Sequence, residues 1–354
     1  MSEVTIAGQG FAGLTSAFWL AKKGYRIQVV GPEKDHQTGS TAAHGASAVK
    51  GIFNADQELF AMKLRGHHNF LGWLKLVEDS AKVKVAKVIG VHEPFWTMQQ
   101  FLSNQGRIYK HRFLGAFACE KSQSELFSGA FYANWYPKDF WVDTDEYLAA
   151  LKRACINLGV RFEQTGPLVK VHSNDKQVFT VFDSGDVGVC ERIILCVGAG
   201  LSVLEVPDRG FSATLSGVSG ATYVGDFKNK EFSQEICVVN QLNTAAIYGE
   251  KIYLGSTSFP KQDLADAVEV ESVEGSINSI NTIVKATFGD DKSVEIPTLQ
   301  CRLGTRVRTK NRMPYVGYCG SDRKIIMNTG YYKSGLTLTP LGAKKVEELL
   351  SKSE

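Results

Sequence analysis

Three glycines carry the first chemical signal in the chain. Gly8, Gly10 and Gly13 stand in Gly8-Gln9-Gly10-Phe11-Ala12-Gly13, a spacing at which backbone can grip a pyrophosphate. The first glycine permits a tight turn, the second lets the chain approach phosphate closely, and the third lets the next helix pack on the preceding strand. Unpaired N–H groups at the helix N-terminus then face the negative charge. The flanking residues supply the required context: a strand, Val4 to Ala7, runs in, and Leu14-Thr15-Ser16-Ala17-Phe18-Trp19-Leu20-Ala21 runs out as helix to Gly24, followed by a second strand, Arg26 to Val30. A nucleotide cofactor is expected there. The pattern is broken at Gly31, where an acidic side chain would hold the adenosine ribose. Glu33 follows two residues later, either as its substitute or as an ordinary solvated glutamate.

Beyond that turn, Thr38-Gly39-Ser40-Thr41-Ala42-Ala43-His44-Gly45-Ala46-Ser47 has too little bulk to pack a core alone. A cofactor ring or phosphate chain against it is one reading, and a flexible loop is the other. The elements that must position these residues follow from periodicity. Asp56 to Glu78 reads as an amphipathic helix, with its His67-His68 pair expected on the surface and not on a metal. Val88 to Val91, Phe95 to Met98 and Phe127 to Tyr132 read as strands. Asp143 to Leu158 reads as a helix ended by Gly159. The buried strand Arg192 to Val197 ends in Gly198-Ala199-Gly200, as a parallel strand beside a cofactor would. Strands at Gly220 to Val224, Glu235 to Val239 and Lys251 to Ser256, and a helix near Val270 to Phe288, belong to a second lobe. A strand at Lys324 to Asn328 and a helix from about Pro340 to Leu350 end the chain.

With 354 residues and 44% hydrophobic content, the chain exceeds one compact core, so two interleaved lobes are expected. A net charge of +3 does not select a partner. Seven cysteines without a C-x-x-C pair argue against a disulfide framework or zinc site, and no metal is expected. No apolar run reaches the length of a membrane span and no export signal opens the chain, which predicts a cytoplasmic protein without membrane contact.

Gly304-Thr305-Arg306-Val307-Arg308-Thr309-Lys310-Asn311-Arg312-Met313-Pro314-Tyr315-Val316-Gly317 and Thr329-Gly330-Tyr331-Tyr332-Lys333-Ser334-Gly335-Leu336 resemble the closing signature of the D-amino-acid oxidase superfamily, most nearly its glycine oxidases. Gly8 to Gly13, Trp141-Val142-Asp143-Thr144 and Cys196 to Gly200 extend the resemblance. It implies an α/β fold: a Rossmann-like FAD-binding domain (1–80, 137–210 and 298–354) interleaved with an α+β substrate domain on a large antiparallel sheet (81–136 and 211–297).

By the same resemblance, noncovalent FAD would contact Gly8, Gly10, Phe11, Ala12, Gly13, Gly31, Glu33, Ser40, Thr41, His44, Gly45, Ala46, Val169, Gly198 and Gly200. Gly330, Tyr331, Tyr332, Lys333, Ser334, Gly335, Leu336 and Thr337 would wrap its pyrimidine end. Arg306 would hold the substrate carboxylate, a task that suits a guanidinium fork; the alternative is a surface arginine in the basic run Arg302 to Arg312. Lys333 stands where the family has a second arginine, Asn243 where it has an active-site tyrosine and Gln241 where it has a histidine; Tyr332 completes the substrate residues. Lys333 and His44 would add positive charge near the ring, with Lys50 a further cation.

The implied reaction is oxidation of the C–N bond of an amino acid or N-substituted glycine by hydride transfer to flavin, with oxygen or another acceptor closing the cycle. Thr309 to Pro314 also resembles the oxidase half of a bifunctional enzyme acting on a carboxymethylaminomethyl group of tRNA wobble uridine. A nucleotide-binding protein without turnover is the third reading.

Overall fold

The computed structural model describes residues 3–32, 38–48, 57–104, 120–122, 127, 129–207, 215–226, 235–240, 243–255, 259–260 and 299–352. In chain order, β1 (Glu3–Ala7), α1 (Phe11–Lys22) and β2 (Arg26–Gly31) precede β3 (Ala46–Ser47), α2 (Gln57–Ala81), β4 (Lys87–Phe95), β5 (Glu120–Lys121) and β6 (Tyr132–Val142). Then come α3 (Thr144–Asn157), β7 (Arg161–Gln164), β8 (Leu168–Ser173), β9 (Val178–Phe182), β10 (Val187–Cys190) and β11 (Arg192–Leu195). The second half holds β12 (Leu215–Asp226), β13 (Ile236–Asn240), β14 (Asn243–Tyr248), β15 (Lys251–Gly255), β16 (Phe259–Pro260), β17 (Leu299–Thr309), β18 (Tyr315–Cys319) and β19 (Asp322–Thr329), and ends in α4 (Gly335–Ser351).

Among the described residues these strands form three sheets. A six-stranded sheet has the order β18-β19-β11-β1-β2-β7, parallel throughout except for the β18–β19 pair. Its period-two pattern sorts the two faces. Val4, Ile6, Ile27, Val29, Ile194 and Ile326 pack with the apolar faces of α1, α2, α3 and α4. On the opposite face Ala7, Ile193, Leu195, Ile325 and Met327 pack with Leu168, Val171, Val178 and Phe182 of the small antiparallel sheet β10-β9-β8. A parallel sheet covered on both faces is the arrangement that such apolar strands require. The large sheet runs β16-β12-β15-β14-β13-β4-β6-β3, with β17 also on β12 and β5 on β6.

Several elements differ from the sequence reading. Phe95 ends β4, and 98–104 are helical, with the Gln100 side chain accepting from Trp96 N at 2.8 Å. Phe127 lies in a turn closed by Ala130 N–H to its carbonyl, so the strand begins only at Tyr132 and runs to Val142. The segment's burial does not alternate, which hid the strand from periodicity. The last helix starts at Gly335; Pro340 lies inside it and has no N–H to return to the Leu336 carbonyl. The expected helix near Val270 to Phe288 lies outside the described residues. The sheets also cut the chain differently from the division at 137 and 298: β3, all of β6 and β17 join the large sheet, and β17 pairs with β12 from Leu215↔Thr309 to Gly225↔Leu299.

Asp143 joins the two bodies. One carboxylate oxygen caps α3, accepting from Asp145 N at 2.9 Å and Glu146 N at 3.0 Å. The other accepts the Tyr253 hydroxyl of β15 at 2.6 Å, and burial together with that carboxylate pushes the phenol pKa up, so the donor proton stays in place. Beside it, Arg302 of β17 meets Asp145 at 2.8 Å. Asp143→Ala should cost about 2 to 4 kcal/mol, from a lost helix cap and an orphaned buried hydroxyl. Tyr253→Phe should cost less. Chemical denaturation of the two variants and the double mutant checks this: additive losses would mean that the hydroxyl and carboxylate are not coupled.

Candidate functional site

A cleft of about 1230 Å³ runs from the β1–α1 turn to the large sheet. That exceeds the usual pocket for one drug-sized ligand and gives room for a dinucleotide and a small second molecule. One end is built of backbone. Gly8 sits at φ 110°, a side chain there would meet the Cys196 carbonyl, and a Cβ on Gly13 would lie 1.9 Å from the Gly8 carbonyl oxygen. Strand, turn and helix are therefore in direct backbone contact. The Gly10 cap of α1 has no side-chain hydrogen bond, and Phe11 N–H donates to Ser40 Oγ at 3.0 Å. The result is a cradle facing the positive end of α1, and Gly8, Gly10, Phe11, Ala12, Gly31 and Ser40 all line it. Gly13 does not line the cleft; it serves the helix–strand contact.

The small-residue segment is held, not loose. Thr222 Oγ1 donates to the Ala42 carbonyl at 2.8 Å, Thr144 Oγ1 to Ala43 at 3.0 Å, Trp141 Nε1 to His44 at 2.8 Å and Val142 N to Gly45 at 3.2 Å. Thr41, His44, Gly45 and Ala46 border the cleft from it. The His44 ring lies 3.0 Å from the Tyr253 carbonyl through Nε2. A carbonyl only accepts, so Nε2 carries the proton and Nδ1 keeps a lone pair; among the described residues Nδ1 has no partner. Burial lowers the His44 pKa to about 4, with the Tyr253 hydrogen bond opposing. His44 is therefore neutral near pH 7 and does not supply the cation expected of it.

The third wall is Gly330 to Thr337, every residue of which lines the cleft. The basic run on β17 does not form a solvated stripe. Arg302 is paired with Asp145, and Arg308 donates to Ser216 Oγ at 2.9 Å while lying over Tyr332. Arg306 is 9% exposed and lines the cleft; its pKa is lowered by burial, with Tyr332 opposing. Lys333 is also lowered, first by burial and then by Arg306, Lys63 and Arg312. Gly198 and Gly200 line the cleft, whereas Val169 does not, its carbonyl being used by Glu205 N at 2.8 Å. Glu33, Lys50, Gln241 and the Asn243 side chain lie outside the described residues.

Sequence reasoning missed Lys63 of α2 and Lys152 of α3, both of which line the cleft. It also placed His67 wrongly, since that ring is 2% exposed. A lysine on a helix reads as solvated whatever it faces, so Lys63 and Lys152 left no local signal. Of the described cysteines, Cys196 lines the cleft and burial pushes its thiol up to about 12, while Cys301 and Cys319 are not part of the wall. No helix among the described residues is long and apolar enough to cross a membrane.

In the unfolded chain a histidine titrates near 6.5; in this fold His44 titrates near 4. Below pH 6.5 the unfolded state takes up a proton that the folded state refuses. Stability from His44 is therefore complete above about 6.5 and is lost as pH falls through 4, by about 3 kcal/mol. Melting temperatures from pH 8 to 4 should show a smaller acid loss in His44→Gln than in the parent protein; equal slopes would remove His44 as the cause.

A family model described as FAD dependent oxidoreductase matches residues 3–349. Glycine oxidase of Geobacillus kaustophilus is 20% identical over 99% of this chain and 93% of that protein. Its crystal structure superposes with a TM-score of 0.82 at 18% identity, covering 100% of this chain and 96% of that one. Glycine oxidase from Bacillus cereus gives 0.83 at 16% identity (100% and 98% covered), and iminodiacetate oxidase from Chelativorans sp. BNC1 gives 0.79 at 16% (99% and 95%). The chain belongs to the FAD dependent oxidoreductase family.

Proposed function

We propose that this FAD-dependent oxidoreductase oxidises the C–N bond of a small amino acid or N-substituted glycine, releasing an imine that water hydrolyses. Arg306 carries the reading: a buried guanidinium in the wall of a cleft large enough for cofactor and substrate. Such a group recognises a carboxylate bidentately and keeps its charge at any working pH. The similar proteins support the same class, because glycine and iminodiacetate, the compounds in their names, each carry nitrogen one carbon from a carboxylate.

FAD, when bound, supplies the hydride acceptor. The glycine cradle and α1 N-terminus would hold its pyrophosphate; the cleft walls at Thr41 to Ala46 and Gly330 to Thr337 would hold the ring, and Gly198 and Gly200 would border it. Binding without a covalent link suits Cys196, the cysteine in the wall among the described residues, whose thiol stays protonated. Arg306 would fix the carboxylate and with it the α-carbon, so that positioning supplies much of the rate. Tyr332 and Lys333 would shape the same end. Oxygen or another acceptor would return the cofactor to its oxidised state.

Purified protein should be yellow, acid precipitation should leave free FAD in solution, and an amino acid added without oxygen should bleach the spectrum. Flavin remaining with the pellet would contradict the noncovalent assignment. Arg306→Leu should keep the FAD spectrum and lower kcat/KM for a carboxylated substrate by about 2 to 4 kcal/mol equivalents, Arg306→Lys recovering part. Undiminished turnover in Arg306→Leu would move the anchor elsewhere.

A further inference from the structure

A buried polar chain leads away from the cleft through residues with no part in the chemistry above. His67 lies on α2 next to Gly66, at which a Cβ would come within 2.7 Å of the Thr337 carbonyl, so the helix touches the cleft's third wall. The His67 ring lies flat on Phe140, centroids 5.3 Å apart and planes 15° apart. Its Nδ1 is 2.9 Å from Ser47 Oγ, and its Nε2 is 3.3 Å from Asp139 Oδ1, with the His67 and Asp139 side chains each 1% exposed. The Nε2 contact is one of proximity and is not aligned as a hydrogen bond. A lone pair on Nε2 would face a carboxylate, so Asp139 fixes the proton there, and the Ser47 hydroxyl donates to Nδ1. Ser47 is half-buried and lines the cleft. With its own proton directed at His67, its oxygen keeps lone pairs to accept with, and the residue borders the cleft.

We propose that Ser47, His67 and Asp139 form a proton path out of the cleft that takes the proton a bound ammonium must lose before its α-carbon can release a hydride. This rests on the amine-oxidation reading. An ammonium N–H bond breaks and an O–H bond forms at Ser47; the hydroxyl's original proton passes to His67 Nδ1; the Nε2 proton passes to Asp139 Oδ1. The ammonium becomes a neutral amine, the carboxylate becomes a carboxylic acid, and no group is oxidised or reduced. The imidazole stays neutral and exchanges one tautomer for the other.

That role suits the surroundings. Burial, then the neighbouring charge of His68, lowers the His67 pKa to about 4, with the Lys138 backbone opposing, so the ring conducts a proton better than it stores one. Among the described residues the His67 ring faces His68 on its own helix and Asp139 on β6, and Asp139 in turn neighbours Cys237 of β13. Its thiol is pushed up by burial and by Asp139 and stays protonated. A purely structural alternative is that the chain only ties β3 to α2 and β6.

The two roles separate in the pH dependence of flavin bleaching, followed by anaerobic stopped flow in FAD-loaded protein. Glycine, N-methylglycine and iminodiacetate serve as probes, the fastest being used for the profile. Ser47→Ala should slow bleaching at least about tenfold at pH 7 and move the acid limb of the profile upward. Its rate should converge on the parent's near pH 10, where the amine arrives already neutral. Ser47→Thr should restore the pH 7 rate, and Asp139→Asn, if it folds, should follow Ser47→Ala. A loss equal at every pH, or no loss, overturns the path while leaving amine oxidation standing. Absence of bleaching in the parent protein with every probe overturns both.

Discussion

The cleft depends on how Thr38 to Ser47 is gripped. Four successive carbonyls, Ala42 to Gly45, each receive a donor from β12, β6 or the first residue of α3. The ends are held too: Thr38 bridges Thr305, and Ser47 pairs with Phe140. At about 1 kcal/mol for each hydrogen bond, the grip is worth more than any single contact within the segment. It also explains the composition. A Cβ on Gly39 would meet the Thr305 carbonyl at 2.7 Å, one on Gly45 the Val142 carbonyl at 2.0 Å, and one on Gly304 the Thr38 carbonyl at 2.4 Å. Small residues are a steric condition of holding one backbone between others, and the cleft remains open on the free side.

This grip also marks where local reading of the sequence stops. The β1–turn–α1–β2 unit, the parallel strand β11 and the helix beginning near Asp143 were legible because each is encoded within about twenty residues, by periodicity and glycine spacing. β17 was not, because its place depends on pairing with β12, about ninety residues earlier in the chain. Its side chains still pointed to function. Arg306 was legible through motif resemblance, although its burial within the continuous run 304–307, against the exposed Lys310 just past the end of β17, required the strand's partner.

His67 shows a different limit. Two adjacent histidines on a polar stretch of helix read as surface, and the second is exposed. The first is buried because Gly66 brings α2 against Thr337 and because Ser47 and Asp139, distant in sequence, supply its polar partners. A buried imidazole without such partners would cost more than the helix could recover. The signal for burial therefore lay in three residues whose association only the fold reveals.

The electrostatics of the cleft connect anchor and proton path. Arg306 and Lys333 both have lowered pKa values, burial being the first cause for each, and Lys333 is further lowered by Arg306, Lys63 and Arg312. Positive charge concentrated at one end of a partly desolvated cleft favours an anion there, and a carboxylate at Arg306 would relieve the desolvation. The same cations act oppositely on the other half of an amino acid. They raise the cost of an ammonium beside them and so favour its neutral form, which is the form that can release a hydride. In the proposed arrangement, holding the carboxylate and promoting loss of the amine proton are two consequences of one charge distribution. A route for that proton is then needed, and Ser47, a half-buried hydroxyl in the cleft wall, is already bonded to the buried His67, whose ring faces Asp139.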